Sequence, residues 1–152
     1  TLTVERNQVD VIGQQIRKLT QATSRQFNLL AEWNLDSVLL QVVKSDHLMW
    51  KARLADALLD NKPMNEAELK DHTQCRFGQW YHSAGKERYA ELSAFRAIEA
   101  PHARVHAIGR EIDQLMKQGA TKDALAKLAQ MEELSTRLFT LLDELNQEIQ
   151  QF

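Results

Sequence analysis

The 152-residue chain has one cysteine, two prolines and five glycines. A single cysteine excludes an intramolecular disulfide and suits a reducing compartment, where the sulfur is available as a metal ligand or reactive thiol. So few chain breakers, with β-branched runs scarce, point to an all-helical fold. No run approaches the ~20 apolar residues that a membrane span needs. The opening TLTVERNQVD lacks the basic and then apolar pattern of a secretory signal. These absences make the cytoplasm the expected location. Net charge is −2 with 26% charged residues, so no basic field invites nucleic acid or an anionic membrane. The chain has no low-complexity segment and no internal repeat.

What is present is helical periodicity. Leu2, Val9, Ile16, Thr23 and Leu30 fall seven apart, with Ile12, Leu19 and Trp33 at the complementary position and Glu5 and Gln26 diluting that second row. Such a seam pairs with another helix, so residues 1–34 read as a coiled-coil-like extension and the expected assembly is a homodimer. Residues 35–152 read as an antiparallel bundle of four main helices with an additional short one. A more apolar helix is expected from about Asp36 to about Leu59, ended by DNKP. Asn65 with Glu68 resembles a capping box opening a shorter helix through Leu69. CRFGQWYHSAG reads as a short helical turn or loop closed by Gly85, followed by a helix over roughly Glu87 to Ile98. Pro101 then predicts the start of a further helix, because proline is tolerated in a first turn. That helix stops at Gly119, and Thr121 is the expected cap of the last one.

The chemistry-bearing residues are sparse. In EAPHARVH, His102 and His106 stand four apart, so both imidazoles project from one helix face. Ordinary packing also gives such pairs. Cys75 lies beside Phe77, Gly78 and Trp80, with Gly78 allowing close backbone approach, and a buried cysteine acting as a small hydrophobe is common. His47, in DHLMWK with Trp50 one turn on, is by itself an ordinary helix histidine. Together, His47, Cys75, His102 and His106 come from three helical segments. Zinc takes four nitrogen or sulfur ligands, and a bundle can direct such side chains to one interior point.

The submotifs HLMW, CRFGQW and HARVH, in this order and with these gaps, resemble the chemoreceptor zinc-binding family of bacterial signalling proteins over about residues 36–115. The resemblance implies a cytoplasmic helical bundle holding one Zn²⁺ through His47, Cys75, His102 and His106. It further implies a sensory regulator appended to a chemoreceptor or diguanylate cyclase, with the heptad helix as the tail of that parent's signalling coiled coil. The chain is then expected to be a fragment of a larger protein.

His72 and His82 flank the cysteine at three and seven residues, and read as alternative ligands or as solvent-facing histidines. Asp46 and Asp71 are candidates to orient a ligand imidazole. Trp50, Phe77 and Trp80 read as core around the site, and Lys44, Lys51, Arg53, Arg104 and Arg110 as a solvated set. Three functions compete: a sensor working through zinc occupancy or Cys75 oxidation, for example by hypochlorous acid; a structural zinc in a dimerisation module; and zinc catalysis. Four ligands close the coordination sphere and no H-E-x-x-H base is present, so no enzyme activity is expected.

Overall fold

The computed structural model describes residues 2–32 and 35–151, with side chains described up to Arg25 and again from Leu35 to Gln151. The chain divides into two compact units, Thr1–Leu35 and Asp36–Phe152. All regular structure among the described residues is helical.

The first unit is one helix, α1 (Leu2–Glu32). Its seam residues Leu2, Val9, Ile12, Ile16 and Leu19 are all more than half exposed, from 55% at Ile12 to 81% at Leu2. Of the remaining seam positions, the Leu30 side chain and Trp33 lie outside the described residues.

The second unit is a helical bundle built on three long helices, α2 (Leu35–Asp60), α5 (Ser93–Lys117) and α6 (Thr121–Gln150). Between α2 and α5 the chain makes short pieces instead of a fourth long helix. These are a 3₁₀ turn over Glu66–Glu68, α3 (Arg76–Trp80), a segment over Tyr81–Gly85 kinked at Ser83 (φ −125°, ψ −105°), and α4 (Lys86–Tyr89). Side-chain pairs give the directions: Lys44 with Asp143, His47 with Ser135 and Lys51 with Glu132 run α2 against α6. Ser93 with Glu148 and Lys127 with Glu111 run α5 against α6 in the same sense.

Two apolar clusters fill the interior. One gathers Leu40, Phe77, Tyr81, Phe95, Ile98, Val105, Leu142 and Leu145, and the other Leu54, Ile108, Ile112 and Met131. Burying each such side chain contributes about 1.5–3 kcal/mol, which makes this packing the main support for helices of low intrinsic stability. A polar anchor sits at the start of α2. Asp36, buried, accepts from the Trp80 indole (3.1 Å), the Arg88 guanidinium (2.9 Å) and the Tyr89 hydroxyl (2.6 Å). It thereby ties α2 to the short-helix region.

Local signals placed several boundaries as expected. The helix α2 ends at Asp60, with Asn61 at φ 51° and the Lys62 amide returning to the Ala57 carbonyl. The Asn65 side chain accepts from the Glu68 amide at 3.0 Å, although the helix it opens is only a 3₁₀ turn. At the end of α5, Gly119 takes φ 73° while its amide and that of Ala120 bond the carbonyls of Met116 and Leu115. This is a left-handed glycine stop.

Three expectations are corrected. Pro101 does not begin a helix but lies inside α5, eight positions after Ser93. Interior proline costs about 3 kcal/mol. Here it shares a buried face with Ile98, His102 and Val105, whose burial offsets that cost. The helix expected over Glu87–Ile98 is broken at Leu92, which is extended (ψ 135°), and α5 restarts at Ser93. The cause is tertiary: the Glu148 carboxylate of α6 accepts from the Ala94 amide and the Ser93 hydroxyl, capping α5 from a distant part of the chain. Finally, Thr121 is the first residue of α6 and no side chain caps that helix.

Candidate metal centre

His102 and His106 stand on the central turns of α5 and line a cavity together with His47 and Trp50 of α2 and Lys70, Gln74 and Cys75 of the loop before α3. That loop is held tightly. A Cβ on Gly78 would lie 1.8 Å from the His72 carbonyl oxygen, so only glycine permits the backbone to cross there. The crossing brings Cys75 to the N-terminus of α3, where its sulfur accepts from the Gly78 amide at 3.3 Å. Its thiol in turn donates to the His72 carbonyl at 3.4 Å.

The Sγ of Cys75 and the two imidazoles of His102 and His106 converge, with their ligand atoms all within 4.8 Å of one another. Cys75 Sγ and His102 Nε2 stand 3.4 Å apart. Tetrahedral zinc, with its sulfur at 2.3 Å and nitrogen near 2.0–2.1 Å, holds two such ligands about 3.6 Å apart. The His106 Nδ1–H donates to the Lys70 carbonyl at 2.9 Å. Soft sulfur with two imidazoles is a zinc donor set, and the spacing fits it.

His47 stands apart from this trio. Its Nε2 is 2.8 Å from the Ser135 hydroxyl of α6, and its ring packs edge-on against Phe139. It nonetheless lines the same cavity of about 390 Å³ as Cys75, His102 and His106. Trp50 forms a further wall: its indole stacks on His106 (centroids 5.3 Å) and donates to the Glu68 carbonyl at 2.7 Å. Phe77 is buried beside His102 at 4.9 Å, and Trp80 packs against the same core.

The electrostatics favour metal-ready forms. Burial pushes His102 down to about 3, helped by the neighbouring imidazoles, and His47 down to about 4, helped by Lys51 and His106. Burial likewise lowers His106, against the opposing Lys70 carbonyl. All three are therefore neutral at pH 7, with a lone pair for a cation. Burial also raises the Cys75 thiol, against the lowering amides of Gly78 and Phe77.

Neither aspartate orients these ligands. Asp46 pairs with Arg76 (3.3 Å), and Asp71 accepts from the Thr73 amide (2.7 Å) and faces His72 (3.3 Å). Polar partners that sequence reasoning missed are the Lys70 carbonyl, against His106, and the Ser135 hydroxyl, against His47. His72 and His82 form a separate group with Glu99. Glu99 was also missed, although its position three residues before His102 on one helix face is a readable signal.

Residues 47–112 match the family model described as the chemoreceptor zinc-binding domain. No curated protein and no solved structure matches the chain. No described helix is long and apolar enough to cross a membrane.

Proposed function

Residues 47–112 are a chemoreceptor zinc-binding domain, and from that premise we propose that this chain is the zinc-holding sensory part of a cytoplasmic bacterial signalling protein. Cys75, His102 and His106 are the core of the site. His47, on the wall of the same cavity, is the fourth donor once its ring turns away from Ser135. The observation that carries the reading is the 3.4 Å approach of Cys75 Sγ to His102 Nε2 inside a cavity that also holds His106 and His47.

Bound zinc supplies the positive charge that keeps the Cys75 sulfur as a thiolate. A thiolate is what fast two-electron oxidants attack. With hypochlorous acid, the sulfur takes up the hydroxyl oxygen to give a sulfenic acid, and chloride leaves. The product is a poorer ligand, and the chain has no second cysteine to resolve it. Oxidation therefore loosens the tie between the α3 loop and α5 until an external thiol reduces the sulfur. That is a two-state element of the kind a switch needs. A four-donor set leaves no open position for substrate, which favours regulation over catalysis. The exposed seam of α1 supports a homodimer, joined to the coiled coil of a parent receptor.

The competing reading is a purely structural zinc, and one experiment separates the two. The zinc-loaded chain is treated with stoichiometric hypochlorous acid, then followed by mass spectrometry, zinc release and circular dichroism. Modification of Cys75 with zinc release and a changed spectrum supports the sensor. An unmodified Cys75, or a modified one with metal and fold intact, leaves the structural zinc. Loss of the buried zinc in Cys75→Ala and His106→Ala is required by both readings, and full occupancy of that site in either variant refutes the assignment.

A further inference from the structure

A second convergence of donors lies outside the cavity just described. His72 in the loop before α3, His82 in the kinked segment between α3 and α4, and Glu99 on α5 bring their ligand atoms within 4.8 Å of one another. The Nε2 atoms of both histidines aim at the same carboxylate oxygen, Glu99 Oε1, from 3.0 and 3.5 Å. Their side chains are 19%, 37% and 39% exposed, so solvent ions reach them.

His72 is held between two carboxylates, with Nδ1 3.3 Å from Asp71 Oδ1 and Nε2 3.0 Å from Glu99 Oε1. A neutral imidazole has one N–H, and so satisfies only one of these acceptors. With that hydrogen on Nδ1, toward Asp71, the Nε2 lone pair faces the Glu99 lone pair, which is repulsive unless a cation lies between them. The second oxygen, Glu99 Oε2, is buried and has no hydrogen-bond partner. An unpaired buried acceptor is unfavourable, and a carboxylate oxygen more so. A metal ion shared by the two imidazoles and Glu99 removes the repulsion. A histidine whose Nδ1–H is held by a carboxylate while Nε2 binds metal is the usual orientation of a metal-bound imidazole. A kink at Ser83 (φ −125°, ψ −105°), between α3 and α4, is the local device that places His82 here.

We infer that His72, His82 and Glu99 form a second, solvent-facing binding site for a zinc-class divalent cation, with three protein donors and one open position. Two imidazoles and one carboxylate select zinc over magnesium or calcium, which take oxygen donors. Three donors and an open face make this site weaker and faster to exchange than the buried one. It adjoins that site, since the His72 and His102 rings lie 5.6 Å apart, but needs none of its ligands.

The test is a metal titration of the whole metal-free chain with zinc, followed by calorimetry, and with cobalt, followed by absorption. Calcium and magnesium serve as controls. Wild type is expected to take two equivalents of zinc, the second more weakly. His82→Ala and Glu99→Gln each lose the second equivalent and keep the thiolate-to-cobalt charge-transfer band of Cys75. Cys75→Ala loses that band and keeps the weaker equivalent, so failure of the buried site is read separately. A single equivalent in wild type, or a second that survives both His82→Ala and Glu99→Gln, overturns the inference. So does a second equivalent displaced by calcium or magnesium. His72 is left intact because its ring packs on that of His102 in the buried site.

Discussion

His106 donates its Nδ1 hydrogen to the Lys70 carbonyl across 2.9 Å. A carbonyl can only accept, so the hydrogen sits on Nδ1 and the lone pair on Nε2. The loop before α3 thus sets the tautomer of a ligand on α5. Because burial also lowers the affinities of His47, His102 and His106 for protons, none of the three carries an extra proton at pH 7.

Proton release on metal binding follows. In the metal-free chain burial raises the Cys75 thiol, so it is protonated at neutral pH and must lose that proton to ligate. The first equivalent of zinc is expected to release about one proton near pH 7, with affinity falling about tenfold for each pH unit of acidification. Calorimetry in buffers of different ionisation enthalpy measures this. Two or more protons would mean that a histidine was charged.

Gly109→Ala tests the wall of the cavity. A Cβ there would come within 2.6 Å of two carbons of the Trp50 ring, pushing the indole off His106. Overpacking of this kind costs about 1–3 kcal/mol. Displacing the ring that holds a ligand weakens zinc by about tenfold. Thermal unfolding and a competitive chelator titration check the two effects.

Acid should destabilise the metal-free chain early. His47 and His102 ordinarily titrate near 6.5, but burial holds them at about 4 and about 3 in the native state. The unfolded chain therefore binds protons that the folded chain refuses. The full stability is present above about pH 6.5 and is lost as pH falls toward the lowered values. Melting temperatures from pH 7 to pH 4 are expected to drop, and a His47→Gln variant to drop less. A flat profile over that range would contradict the buried, neutral assignment.

Much of this was legible in the sequence where the cause is local. The ends of α2, the Asn65 cap and the Gly119 stop all follow from residues within a few positions. The donor trio was legible because each member lies in a short motif. What escaped depends on partners far along the chain. Pro101 stays helical because its neighbours Ile98 and Val105 are buried against other elements, and α5 begins at Ser93 because Glu148 caps it from α6. His47 meets Ser135 across 88 positions, a pairing that no local pattern encodes.

The exposed seam of α1 predicts assembly. Five apolar seam residues more than half exposed would be unfavourable on an isolated helix. Pairing two such helices is expected to give a dimer at tens of micromolar in sedimentation, weakened by Ile16→Asp and by deletion of residues 1–34. A monomer at that concentration, or self-association unchanged by the deletion, would rule out the coil's part in it.

Cys75 caps the start of α3 as well as serving as a donor, because the same sulfur accepts from the Gly78 amide. One atom therefore punctuates the backbone and answers to chemistry, and whatever alters it also edits the grammar of the chain. Serine speaks the first part of that language fluently, being among the best residues at a helix start, but is a poor partner for zinc. Alanine speaks neither. The difference in stability between Cys75→Ser and Cys75→Ala in the metal-free chain, about 1 kcal/mol for such a position, isolates the backbone role. What remains between serine and cysteine in the metal-loaded chain is the metal's share alone.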